Sequence, residues 1–377
     1  MRIIVFDVPA SSGGALSILK DFVSYIDKNI NVHEWYFIVS TNNIYVKSSN
    51  IHIIKERFPK KSWFHRGFWE IFLANGIVKK VKPDVILSFQ NIAIMCTNTP
   101  QIVYIHQPMP FYKEKKWSYL SLIEIRYAFY RDLFRFLIGK SVKKAHAVIV
   151  QTKWMKDALI DFYHIPNNKI SVIPPSVSIP KIKKGPKHAE KAVRDKFFYP
   201  AFPNLYKNFE VIIEATKKLL NQGYTPKIYL TINGNENRYA SRIKNMVKEV
   251  ESNFTFIGSV PREQVFELYQ TSILIFPSYL ETFGLPLLEA RFFNAPIIAS
   301  DRPFARETLE GYSNAVFFDP FSPDDLAGKM KKYLEANFSS HSFVKTDKEE
   351  EFLEKYRPEN TWGKIFHLVE LFEKKKM

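Results

Sequence analysis

Short apolar, β-rich runs alternate with helical stretches along nearly the whole chain, and this alternation limits the fold more than any other feature of the sequence. In the first half the runs are Ile3–Val8, followed by a helix from about Ala15, then Trp35–Ser40, Asp84–Phe89, Ile102–His106 and Ala147–Gln151. Neighbouring parallel strands need a crossover, usually a helix, so the alternation predicts parallel sheets of the α/β class. A Pro- and Lys-rich passage interrupts the pattern at Pro174-Pro175 and Pro180-Lys181-Ile182-Lys183-Lys184-Gly185-Pro186. It resumes with Phe197–Pro200, Lys227–Ile232, Phe254–Ile257, Ile273–Phe276, Pro296–Ala299 and Val316–Phe318. Two doubly wound domains joined near residues 174–194 are therefore expected, one over residues 1–178 and one over 190–357. Trp362, Ile365, Phe366, Val369 and Phe372 recur at helical spacing, so residues 360–377 are read as a closing helix that packs back on the first domain.

Composition removes several classes. With 46% hydrophobic and 24% charged residues among 377, the chain has the apolar content to order itself, and intrinsic disorder is excluded as its main state. Its single cysteine, Cys96, can build neither an internal disulfide nor a thiolate zinc site, so a reducing compartment, the cytoplasm, is expected. Asp7 and the prolines and glycines after it leave no uninterrupted apolar stretch for an export signal. The longest uncharged run, between Asp84 and Lys113, is broken by Gln90, Asn91, Thr97, Asn98, Thr99 and Pro100 and does not read as a membrane span.

The net charge of +16 is unevenly placed: residues 1–178 hold 24 Lys and Arg against 12 Asp and Glu, and the remainder 30 against 26. Within the basic first half, Arg57–Trp69 and Lys113–Lys144 interleave cations with aromatic residues, a pattern suited to the interface of an anionic membrane. The alternative is an ordinary amphipathic helix whose cations are simply solvated. A basic half also fits a nucleic-acid binder, but no nucleic-acid module is recognisable and the motif described next would go unexplained.

That motif is Phe276-Pro277-Ser278-Tyr279-Leu280-Glu281-Thr282-Phe283-Gly284-Leu285-Pro286-Leu287-Leu288-Glu289-Ala290, directly after an expected strand. Glu281 is placed at the strand's end, Thr282–Leu285 turn into a helix N-terminus whose amides can receive a diphosphate, and Glu289 lies about one turn further in. A carboxylate there can accept two hydroxyl hydrogen bonds, as a ribose diol requires. A second anion-binding turn is Ala10-Ser11-Ser12-Gly13-Gly14-Ala15, after the first strand, although such a turn can be no more than a turn.

With Glu281 and Glu289 seven positions apart around a Gly-containing turn, the motif resembles the donor-site signature of the retaining, GT-B-fold nucleotide-sugar glycosyltransferases of family 4. Phe256–Pro261, Ile232–Asn235, Val148–Thr152, Ile173–Pro175 and Tyr199–Asn208 match the family pattern in order. The resemblance implies two Rossmann-like domains facing across a cleft. It also implies roles: Lys207 neutralising the donor diphosphate, Glu289 holding the ribose, and Glu281 with Thr282, Phe283, Gly284 and Leu285 contacting donor sugar and phosphate. Gly13 and Gly14 in the first domain and Gly234 in the second would approach the donor. His106 would lie near the transferred sugar, whereas taken alone it reads as a structural histidine. Many members carry an arginine five or six residues before the lysine, where this chain has Ala201 and Phe202. The second phosphate cation would then come from elsewhere, from Arg238, Arg242 or Arg262, or be absent.

No Asp-x-Asp occurs, so the expected reaction needs no metal, and no cofactor other than the nucleotide-sugar substrate, of UDP or GDP type, is expected. The full expectation is a retaining, metal-independent glycosyltransferase acting on a lipid-linked or lipopolysaccharide glycan in bacterial O-antigen or capsule assembly, peripheral on the inner face of the cell membrane. The enzymatic alternatives are a GT-B sugar-nucleotide epimerase or a phosphorylase-like enzyme, which would not share the Glu281–Glu289 spacing.

Overall fold

A computed structural model describes residues 1–11, 13–29, 32–114, 117–177, 195–335 and 347–374. The chain divides into two units, residues 1–115, 127–178 and 354–377 in one, and 116–126 and 179–353 in the other. The interrupting passage at 180–186, together with Lys115 and Lys116, lies outside the described residues.

The first unit is built on a seven-stranded, wholly parallel sheet. Its strands are β1 (Arg2–Asp7), β2 (Glu34–Val39), β3 (Ile51–Lys55), β4 (Val85–Ser88), β5 (Gln101–Ile105), β6 (Ala147–Val150) and β7 (Ile170–Val172), in the order β3-β2-β1-β4-β5-β6-β7. The six strands of the second unit are also parallel: β8 (Lys196–Tyr199), β9 (Lys227–Leu230), β10 (Phe254–Phe256), β11 (Ile273–Phe276), β12 (Ile297–Ser300) and β13 (Ala315–Phe318), in the order β10-β9-β8-β11-β12-β13. Each sheet grows outward from its first strand, then returns to that strand's other side. The strand order thus reverses between β1 and β4 and between β8 and β11, and such reversals open a crevice beyond the strands' carboxyl ends.

The two strands missing from the sequence reading, β3 and β7, are the outer strands of the first sheet. Each pairs on one side only, and β7 is three residues long, so neither needs the continuous apolar run of an interior strand. The helix Gly13–Asn29 places Phe22 against Trp35, Phe37 and Phe89 at ring separations of 5.2–6.0 Å. The closing helix, Pro358–Lys374, packs on the same helix and sends Trp362, Ile365 and Val369 into this core, with Trp362 5.0 Å from the Phe22 ring.

The two basic, aromatic stretches differ in form. Arg57–Trp69 enters a nearly continuous helix: Trp63–Phe68 is capped by Ser62, a π turn follows at Trp69–Leu73, and Ala74–Val81 completes it. Trp69 is buried edge-on against Phe6, 5.9 Å away, while Phe64, Phe68 and Phe72 form a stripe at 82%, 43% and 63% exposure. In the second stretch the helix covers only Ile125–Lys144, and its cations and aromatics are mixed around the axis rather than segregated. Arg135 donates to the Pro110 carbonyl at 2.8 and 3.0 Å, Arg131 pairs with Asp132, and Lys140 lies 4.4 Å from the Phe136 ring. Among the described residues no helix is long and apolar enough to cross a membrane.

Candidate functional site

The reversal in the second sheet brings together two residues that lie far apart in sequence. Lys207 follows β8, at the end of the short helical turn Leu205–Lys207, and Glu281 lies in the loop after β11. Their side chains form an ion pair, and Ser278 donates to the same Glu281 oxygen at 2.6 Å. Glu281 does not end the strand, as the sequence suggested. Pro277 has no amide hydrogen to continue the ladder, so β11 stops at Phe276 and Glu281 hangs in the loop beyond it.

That loop is held from several sides. Tyr279 donates its amide to Tyr206 at 3.0 Å, and Asn208, in the left-handed region at φ 56°, reaches the carbonyls of Pro277 and Pro320. Below the pair, Tyr199 donates to the Lys207 carbonyl at 2.9 Å. Burial, then the Glu281 charge, holds its phenol well above the ordinary value.

Past Glu281, the buried Phe283 carbonyl accepts from Thr308 at 2.7 Å, and Gly284 caps the helix Leu285–Phe292 at φ 84°. A β-carbon at Gly284 would meet Leu287 at 3.1 Å in a conformation that disfavours other residues. The Leu285 amide, at the first helical position, has no partner within the helix, which is the arrangement an anion exploits.

On the same helix, Glu289 accepts from Arg262 at 2.9 Å on one oxygen and from Tyr269 at 3.1 Å on the other. Burial raises its pKa, and Arg262 and Tyr269 oppose that rise. Arg262 is therefore engaged with the second glutamate. Arg242 stands 3.9 Å from Glu210, and Arg238 opens the helix Arg238–Val247. Gly234 has φ 87°, and its amide, with that of Asn233, donates to the carboxylate of Glu236. An acidic side chain of this same loop thus occupies the amides expected to approach a donor, and they hold its pKa down against the effect of burial.

In the first unit, Gly13 and Gly14 open the helix Gly13–Asn29, and His106 follows β5. Asn91, beyond β4, fixes the histidine in two ways: its oxygen accepts the His106 backbone amide at 2.7 Å, and its amide nitrogen lies 3.2 Å from Nε2. With the Asn91 oxygen committed to the backbone, its NH2 group faces Nε2, which must accept; the ring proton then belongs on Nδ1. Burial, then the nearby Arg66 charge, lowers the imidazole pKa to about 4.

Two groups of this unit, Asp7 and Arg66, were not among the expected site residues, and the Arg66 charge acts on both Asp7 and His106. Asp7, the last residue of β1, is buried and held well above the ordinary carboxyl range by desolvation, against the pull of Arg66 and Lys60. Arg66 is paired at 2.8 Å with Glu70. The available signal was an acid ending the apolar strand Ile3-Ile4-Val5-Phe6. Among the described residues no cluster of three or more His, Cys, Asp and Glu could hold a metal ion.

The two parallel, doubly wound sheets place the chain in a known structural class. It shares its fold with sucrose-phosphate synthase from Thermosynechococcus elongatus (TM-score 0.76, 15% identity, covering 99% of each chain) and with the Anabaena protein HepE, solved in complex with UDP-glucose (TM-score 0.70, 15% identity, 98% of this chain and 99% of that one). Both are likenesses of fold, and the fold is GT-B. Residues 28–179 match the family described as Glycosyltransferase Family 4, and residues 181–350 match Glycosyl transferases group 1. The chain belongs to the family 4 glycosyltransferases. It is 26% identical over 295 residues to the O-antigen chain mannosyltransferase RfbU of Salmonella typhimurium, covering 76% of this chain and 73% of RfbU.

Proposed function

We propose that this glycosyltransferase moves a sugar from a nucleoside-diphosphate donor of UDP or GDP type to a lipid-linked or lipopolysaccharide glycan in bacterial surface-polysaccharide assembly. Transfer retains the anomeric configuration and needs no metal ion. The observation that carries the reading is the Lys207–Glu281–Ser278 cluster at the strand reversal of the second sheet, with Glu289 on the helix that follows. The likeness to RfbU supports the surface-polysaccharide part.

In this reading Lys207 meets the negative charge that grows on the diphosphate as the sugar–oxygen bond breaks, and the Leu285 amide at the N-terminus of the helix after Gly284 adds a fixed dipole in the same sense. Glu281 binds the donor sugar while orienting Lys207. Glu289 accepts the ribose diol. His106, neutral above its low pKa, contacts the transferred sugar as a hydrogen-bonding group rather than as a cation. The acceptor oxygen attacks from the face the diphosphate leaves, and a diphosphate oxygen takes its proton, so no protein nucleophile is assigned.

The Phe64–Phe68–Phe72 stripe, beside Arg57, Lys60 and Lys61, supports attachment to an anionic membrane surface, where a lipid-linked acceptor would be presented. Incubation with UDP- and GDP-sugars, with and without a polyprenyl-diphosphate-linked glycan, tests the reading, with the new linkage assigned by NMR. An acceptor-dependent product with the donor's anomeric configuration is expected. Conversion of the donor without acceptor, or inversion, would refute it.

A further inference from the structure

Glu289 is held by two groups from one helix, Arg262–Thr271, and the two differ in kind. Arg262 and Tyr269 are seven residues apart and so lie on the same helical face. Arg262 reaches Oε1 with a side chain 43% exposed, which solvent or a ligand can replace. Tyr269 reaches Oε2 with a side chain 1% exposed. Its ring is edge-on to Phe198 at 5.8 Å and stacked with Phe293 at 6.2 Å, so the hydroxyl is set by the core and cannot follow the carboxylate if that group turns.

We propose that Tyr269 is a positioning residue for nucleotide recognition: its hydroxyl fixes the plane of the Glu289 carboxylate so that both oxygens face the ribose diol together. The proposal rests on reading Glu289 as the ribose carboxylate. Each carboxylate oxygen has about two acceptor sites. The Tyr269 bond uses one on Oε2 and leaves one, and Oε1 has another beside or in place of Arg262, so two hydroxyls can be taken without breaking the buried bond. The terminal torsion of a glutamate is soft. Without the phenol, the exposed Arg262 is the carboxylate's remaining side-chain hydrogen-bond partner among the described residues, and the carboxylate follows it instead of waiting in register for a diol. Burial, then the neighbouring Glu289 charge, holds the phenol protonated, so it donates at every working pH.

The test is calorimetry on the full chain with whichever of UDP, GDP and ADP binds most tightly, and with its 2′,3′-dideoxy counterpart, comparing wild type, Tyr269→Phe and Glu289→Ala. Wild type is expected to prefer the ribose nucleotide, Tyr269→Phe to lose about tenfold of that preference, and its dideoxy affinity to stay unchanged, which also reports an intact fold. Equal loss for both nucleotides, or no loss, in Tyr269→Phe overturns the proposal. Glu289→Ala separates the two levels. If it keeps the full preference, the ribose assignment itself falls. If it loses the preference while Tyr269→Phe does not, only the role of Tyr269 falls.

Discussion

Protonating His106 should cost the first unit measurable stability, and the size of the effect follows from its surroundings. The folded pKa is about 4 against an ordinary 6.5, with burial as the main cause and Arg66 as the second. The Asn91 amide adds a directional reason, because a proton on Nε2 would face an NH2 group that cannot accept it. Between pH 4 and 6.5 the unfolded chain therefore binds more protons at this site than the folded one, and stability rises with pH across that window. The contribution is whole above pH 6.5 and is lost as the pH falls toward 4.

At pH 5 the two pKa values correspond to a loss of about 2 kcal/mol relative to pH 7.5. The ring is partly exposed, and solvent screening brings the expectation to about 1–2 kcal/mol. For a unit of this size that is about 2–8 °C in Tm. The assay is thermal unfolding at pH 5 and 7.5 for wild type and for His106→Gln, whose side chain is neutral throughout. The variant should lose less stability on acidification by that amount, and Asn91→Asp, which offers Nε2 an anionic acceptor, should raise the imidazole pKa followed by NMR. Identical acid sensitivity of wild type and His106→Gln, or an unmoved titration in Asn91→Asp, would refute the reasoning.

Three further expectations are open to direct measurement. Lys207→Ala should lower kcat by about 10²–10³ with a smaller change in donor affinity, since its charge is worth most when the diphosphate departs; equal effects on both would assign Lys207 to ground-state binding. Transfer should persist in excess EDTA, and loss that Mg²⁺ or Mn²⁺ restores would show the donor site to be metal-dependent. Replacing Phe64, Phe68 and Phe72 by Ser should weaken cosedimentation with phosphatidylglycerol vesicles at least tenfold while leaving nucleotide binding intact, because each aromatic ring inserted contributes about 1.5–3 kcal/mol at full burial; unchanged binding would return the stripe to a solvated helix face.

The interior of both sheets was legible because a strand buried on both faces must be apolar throughout, as in Ile273-Leu274-Ile275-Phe276. The outer strands β3 and β7 were not, since a one-sided strand can carry His52 or Ser171 without penalty. The motif could be read as a local string, Phe276 to Ala290, and the second sheet accounts for its pairing with Lys207. What the string could not show is which charges it would meet. Arg262 and Tyr269 reach Glu289 from a different helix, and Glu236, one residue past the Ile232–Asn235 match, folds back onto the amides of Asn233 and Gly234. Asp7 was read only as a break in an export signal and Arg66 only as a cation of the basic stretch, because the Arg66 charge reaches Asp7 and His106 through tertiary packing, while its pairing with Glu70, four residues on, is local.

The placement of Trp362 has a consequence for the order in which the protein can be made. Phe22, Trp35 and Phe89 belong to a core that is complete only when a residue from the far end of the chain arrives to cover them. A ribosome adding about 5–20 residues per second needs about 10–40 s to travel from residue 178 to Trp362, and the second unit is synthesised in that interval. The unit begun first is thus the one finished last, and during synthesis it exposes an aromatic surface that the mature protein hides. Chains interrupted just before Trp362 would carry an intact second unit beside an unsealed first one. Such chains should be recognised by chaperones or proteases through Phe22 and Trp35, far in sequence from the break.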